Sequence, residues 1–262
     1  DEIRVQGAYA YCLTYHSLKI VDIRESAAMA VAGELDFAAG SLRGLAVAGG
    51  LACFHDDGRT LRIVDVTNVA SPAMIASLVL PGHSASTVVL ADDMALVSDY
   101  WAGLQFVDLL DPSHPRLLGT VPWFECPGRV AVSGHIAYAA AGSAGLHIID
   151  FSDPAQPFLV GTLALGGGTY DVEVRGEYAY VVGEPVGLQV LDISDRLVPR
   201  VVGACPSAVG SLSLAPDADY AYVSQERGFK VLDLRAPLQP RVVGEMFQSG
   251  EIAGMRAFAH RV

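Results

Sequence analysis

The chain has 262 residues, 52% hydrophobic and 18% charged, a composition far from that of a disordered chain. Its formal charge of −12, with no basic patch or stripe, argues against nucleic acid as a partner, since phosphate contact needs clustered Lys and Arg. No apolar run reaches the ~18 residues of a membrane-crossing helix, so no membrane insertion by this segment is expected.

Taken in chain order, six segments repeat one pattern: SLKIVDIRESAAMAVAG (17–33), TLRIVDVTNVASPAMIA (60–76), GLQFVDLLDPSHPRLLG (103–119), GLHIIDFSDPAQPFLVG (145–161), GLQVLDISDRLVPRVVG (187–203) and GFKVLDLRAPLQPRVVG (228–244). Their central aspartates, Asp22, Asp65, Asp108, Asp150, Asp192 and Asp233, follow one another at steps of 43, 43, 42, 42 and 41. A period of this length belongs to a propeller or a solenoid, and the content of each unit decides between them. In the fifth unit, Val172-Glu-Val174 alternates as a short strand and Gly176-Glu177 is a two-residue turn. Tyr178–Val182, Leu188–Asp192 and a run starting at Arg200 are three further strands, rich in aromatic and β-branched residues. No stretch shows a helical period with caps, which excludes helical repeats. The expected fold is therefore all-β: a six-bladed β-propeller of four-stranded antiparallel blades, repeat about 42 residues.

One propeller domain over residues 1–262 is expected, with repeats near 3–40, 41–84, 85–127, 128–169, 170–209 and 210–250. Residues 251–262 start a seventh repeat, because Met255-Arg-Ala-Phe258 aligns with Val172-Glu-Val-Arg175. That tail is expected to pack on the first blade and close the ring.

The segments KIVD, RIVD, FVD, IIDFSDPAQP, VLDISD and VLDL resemble the LVIVD repeat, a bacterial and archaeal propeller repeat, over essentially residues 3–246. The resemblance implies a secreted or cell-surface protein, often one module among others, with no general assigned activity.

Six copies of one aspartate cannot all be one active site. A carboxylate that closes a strand before a turn accepts backbone N–H groups in an Asx-type turn, so these six residues are read as scaffold. Pro115, Pro157, Pro199 and Pro240, each seven residues later, set the entry to the outer strand. The four cysteines lie far apart without metal-ligand spacing and are read as free thiols, with a disulfide as the alternative.

In a four-stranded meander the loops between second and third strands share a face with the links between blades, and there the repeats diverge. That face carries the candidate binding residues His55, Asp56, Asp57, His83, Asp99, Tyr100, Trp101, Trp123, Glu125 and Tyr170. Both tryptophans fall on it, as recognition aromatics or as seals between blades. A metal held by His55, Asp56, Asp57, His83 and Asp99 is outweighed by a solvated polar turn, so no metal or cofactor is assigned. No nucleophile has an adjacent histidine base. The reading is a monomeric, non-catalytic binding module for an unknown protein or small-molecule ligand, working by protein–protein or cell-surface recognition. The alternatives are a small-molecule or carbohydrate-binding propeller and, behind it, a metal-dependent hydrolase or lyase.

Overall fold

Every copy of the repeated aspartate ends a third strand, and the residues around it organise one blade. The computed structural model of the protein describes residues 2–25, 27–38, 41–56, 59–122, 128–214, 219–225 and 228–247. The first sheet is β1 (Glu2–Gln6), β2 (Tyr9–Leu13), β3 (Ser17–Asp22) and β4 (Ala30–Asp36). The second is β5 (Leu42–Ala48), β6 (Leu51–Asp56), β7 (Thr60–Asp65) and β8 (Ala73–Val79). The third is β9 (Ala85–Ala91), β10 (Met94–Asp99), β11 (Gly103–Asp108) and β12 (Arg116–Val121). The fourth is β13 (Val130–Ser133), β14 (Ile136–Ala140), β15 (Leu146–Asp150) and β16 (Phe158–Leu163). Next come β17 (Gly168–Arg175), β18 (Tyr178–Glu184), β19 (Gly187–Asp192) and β20 (Arg200–Cys205). The last holds β21 (Ser211–Leu214), β22 (Tyr220–Gln225), β23 (Gly228–Asp233) and β24 (Arg241–Phe247). Each sheet is an antiparallel meander in sequence order, and no helix occurs among the described residues. The chain is a six-bladed β-propeller. The expected closing segment, 251–262, lies outside the described residues.

All six aspartates do the same local work. Oδ1 of Asp22, Asp65, Asp108, Asp150, Asp192 and Asp233 accepts the backbone N–H two residues on, at 2.8–3.0 Å. A side-chain hydrogen bond from a neighbouring arginine or hydroxyl, together with this backbone bond, holds every one of the carboxyls below its ordinary range. The residue after each aspartate donates its N–H to the first hairpin of the same blade, as in Ile23 to Ala8 O and Val66 to Gly50 O. The Asx turn is thus the knot that ties four strands together.

A second repeated device lies two residues after each aspartate's cross-strand partner in the fourth strand. The third and fourth strands of every blade shift register once, leaving Ala32, Ile75, Leu118, Val160, Val202 or Val243 as the extra residue of a β-bulge. The next position is usually glycine, and in two blades packing explains it. A β-carbon on Gly33 would lie 2.0 Å from Val69 O in the next blade's turn, and one on Gly203 would lie 2.5 Å from Pro237 O.

The described residues fall into two compact units, one carrying β1–β12 and the other β13–β24. In the first, strand alternation sends Ala52 and Phe54 of β6 to one side, against Tyr11, Leu13, Leu18 and Ile20 of the first blade. Cys53, between them, faces the third blade's Val88, Ala95 and Val97. In the second, Tyr138, Leu146 and Ile148 pack on Val172 and Val181, while Tyr180, Val182 and Leu188 pack on Ala221, Val223 and Leu232. Full burial of one such large apolar side chain contributes about 1.5–3 kcal/mol, so interblade layers supply most of the cohesion.

Candidate functional site

The second blade meets the third at a loop that the sequence marks only by polarity. β10 ends in Asp99, whose alternation with Val97 and Ala95 turns its side chain toward the second blade. The carboxylate is fully buried, yet it has donors. Oδ1 accepts the N–H of Trp101 and of Ala102, both at 2.8 Å, and Oδ2 accepts the N–H of Ser84 at 2.7 Å. The Tyr100 N–H in turn donates to Ser84 O at 3.1 Å. One carboxylate therefore fastens the turn between β10 and β11 to the link that joins the two blades. Charge-assisted bonds of this kind are about twice as strong as neutral ones, which makes the mount stiff.

Two glycines make room for it. Gly103 closes the turn at φ +92°, with Val121 O only 2.1 Å from where its β-carbon would sit. Gly82 enters the link at φ +88°, pressed against Asp99 itself. No other residue adopts these conformations easily, and a side chain at either would meet neighbouring atoms.

The mount presents three rings to solvent. Trp101 is 65% exposed and Tyr100 is 41% exposed, with ring centroids 5.0 Å apart and planes at 71°. The exposed His83 ring lies 5.8 Å from Trp101. Trp101 does not seal a gap between blades: it stands out from the surface. A neighbouring aromatic pair, Tyr15 with His16 at 4.6 Å, occupies the corresponding loop of the first blade.

Other candidate residues sit differently from expectation. His55 and Asp56 are not loop residues: β6 runs on to Asp56, and both side chains are buried. They also point to opposite sides of their sheet. Asp56 pairs with Arg62, which lies over the Phe37 ring at 5.6 Å. His55 packs on Gly44, and neither ring nitrogen has a hydrogen-bond partner among the described residues. Burial pulls its pKa down to about 4, against the nearby carboxylates of Glu2, Asp56 and Asp99, so the ring is neutral at pH 7. Glu2 is engaged on the other side of the same backbone, accepting the N–H of Gly44 at 2.7 Å and of Leu45 at 3.0 Å. Among the described residues no group of three or more His, Cys, Asp or Glu side chains could hold a metal.

Tyr170 is 49% exposed in the bulge at the start of β17, and its carbonyl accepts the N–H of Arg129 at 3.1 Å. Asp57, Trp123 and Glu125 lie outside the described residues. Cys12, Cys53 and Cys205 are free, and burial pushes the Cys53 thiol up to about 12, leaving it an inert apolar group. Sequence reasoning did not single out Gly82 and Ser84. Their signal is the Pro81-Gly82 pair, a turn mark that sits directly before His83.

The family model for the LVIVD repeat matches residues 1–36, 39–79, 82–122, 128–164 and 166–206. No curated protein matches the chain. Among solved structures, a functionally unknown protein from Desulfotomaculum acetoxidans aligns over 90% of this chain and 80% of its own, with TM-score 0.74 and 12% identity. The Cps50 (Swd1) β-propeller domain of Myceliophteria thermophila aligns over 95% of this chain and 86% of its own, with TM-score 0.76 and 12% identity. A chain of Kuenenia stuttgartiensis hydrazine synthase aligns over 92% and 84%, with TM-score 0.70 and 15% identity. Likenesses at such low identity speak for the fold alone.

Proposed function

Given that the chain belongs to the LVIVD repeat family, we propose that it is a non-catalytic recognition module whose binding patch is His83, Tyr100 and Trp101. The observation that carries this reading is a two-thirds-exposed tryptophan mounted over a fully buried, triply hydrogen-bonded aspartate. Leaving a large aromatic in water forgoes roughly 1.5–3 kcal/mol of burial, and a loop fixed so firmly gains nothing for its own blade from that exposure. For a binder the arrangement has a use: anchors already ordered before contact lose little entropy on binding. The opposite face, built from near-identical Asx turns, offers a partner little that is distinctive.

The test is a surface-plasmon screen of the immobilised chain against protein and small-molecule libraries, repeated with Trp101→Ala, Tyr100→Ala and Ser113→Arg. Ser113 lies in the turn after Asp108, on the other face. Loss of binding in the two aromatic variants with retention in Ser113→Arg supports the reading. Loss in Ser113→Arg alone assigns recognition to the turn face.

A further inference from the structure

We infer that the His83–Tyr100–Trp101 patch takes an uncharged carbohydrate, an inference that rests on this patch being the recognition site. Four features of the patch select that chemistry.

The first is charge. The chain carries a formal −12, but the carboxylate within the patch, Asp99, is fully buried and holds three backbone N–H groups. Its oxygens are enclosed and occupied by these donors, so a ligand cation cannot pair with them directly.

The second is unused hydrogen-bonding capacity. The ring nitrogens of His83, the Tyr100 hydroxyl, the Trp101 indole N–H and the Ser84 hydroxyl make no hydrogen bond with the described residues. They form a set of donors and acceptors around one wide apolar ring. A sugar ring offers the matching pattern: a face of C–H groups to lie on the indole and hydroxyls at the rim that both donate and accept.

The third is the state of the backbone. An extended peptide that adds itself to a protein edge needs free main-chain groups. Here the N–H groups of Ser84, Tyr100, Trp101 and Ala102 are all engaged within the mount.

The fourth is ring geometry. Polyproline ligands lie in grooves between aromatic walls. The Tyr100 and Trp101 planes meet at 71°, which makes one platform with one wall standing beside it. A single stacked ring with a lateral contact fits that shape.

The experiment uses the full chain on an array of neutral and charged glycans. It is followed by fluorescence titration with cellohexaose, chitohexaose and mannohexaose in a Trp123→Phe background, where Trp101 is the sole tryptophan. The expected result is binding of at least one neutral oligosaccharide with a change in Trp101 emission. Trp101→Ala should weaken it tenfold or more, as for an aromatic anchor, and Trp101→Phe should weaken it less. Raising NaCl from about 50 to 500 mM should change affinity less than twofold, because no ion pair forms. Circular-dichroism melts of each variant separate lost binding from lost folding.

Failure to bind any neutral glycan, while a protein or proline-rich peptide binds in a Trp101-dependent way, overturns the carbohydrate assignment and leaves the patch standing. Glycan binding untouched by both Trp101→Ala and Tyr100→Ala overturns the patch itself. Binding confined to charged glycans and abolished by salt overturns the uncharged class.

Discussion

Gly82 lies so close to Asp99 that a β-carbon added to it would meet Oδ1 at 2.3 Å. Backbone and carboxylate are fitted to each other, and the link between the second and third blades has one tolerable residue at that point. Gly82→Ala is therefore expected to displace the carboxylate and loosen the turn, at a cost on the order of 1–3 kcal/mol including the φ +88° strain. A thermal melt should show a fall of a few degrees, and Trp101 emission should shift. An unchanged melt would mean that the link moves without disturbing Asp99.

Removing the carboxylate is the direct test of the mount. Asp99→Ala leaves the N–H groups of Ser84, Trp101 and Ala102 without their acceptor, each worth about 1–3 kcal/mol where water cannot replace it. Amide hydrogen exchange at those three positions should accelerate by at least tenfold, with exchange in the fourth to sixth blades unaltered. Asp99→Asn, which keeps one acceptor oxygen, should fall between the two.

The repeated aspartates should behave as scaffold. Asp150 Oδ1 accepts the Ser152 N–H at 2.8 Å and the Ser152 hydroxyl at 2.6 Å, and no other function is visible for it. Asp150→Ala should lower stability by roughly 1–2 kcal/mol and leave ligand affinity within twofold. A lost interaction with a partner at unchanged melting temperature would assign this turn a recognition role.

Acidification provides a separate signature through His55. Its pKa falls from 6.5 to about 4 on folding, so the unfolded chain takes up a proton that the native chain refuses. The stabilisation is complete above pH 6.5 and drains away as pH falls toward 4, by on the order of 3 kcal/mol. The six turn aspartates are shifted down from 3.8 and act below that window. Stability curves between pH 4 and 7 should be steep for the native chain and flatter for His55→Leu. Equal slopes would show that the imidazole is solvated in the native state.

The fold was legible because one constraint recurs six times. Each blade must close its third strand with the same Asx turn, and a chain that solves that problem repeatedly writes the period into its letters. Local alternation also marked the strands of the fifth unit, where β18 is Tyr178–Glu184. What local sequence does not encode is contact between blades. His55-Asp56-Asp57-Gly58 reads as a polar turn because its letters are polar, yet the hydrogen-bond ladder to β7 continues through Asp56↔Thr60. The neighbouring blades then enclose both side chains. Asp99 reads as a candidate ligand in the sequence for the same reason that makes it a structural clamp: a carboxylate at a loop root has oxygen atoms to offer. Only the fold shows that backbone N–H groups have already claimed them.

The bulges in the fourth strands bear on how the outer edges of the blades could meet another strand. Outer strands such as β16 expose Phe158, Leu159 and Val160 in succession along an unpaired edge, a pattern that invites cross-β stacking between molecules. Each of these edges is broken in register at its bulge, at Val160 in β16 and at the matching residue of the other five blades. An incoming strand can zip along only a short run before its hydrogen-bonding groups fall out of step, so the irregularity interrupts the template on which a fibril would grow.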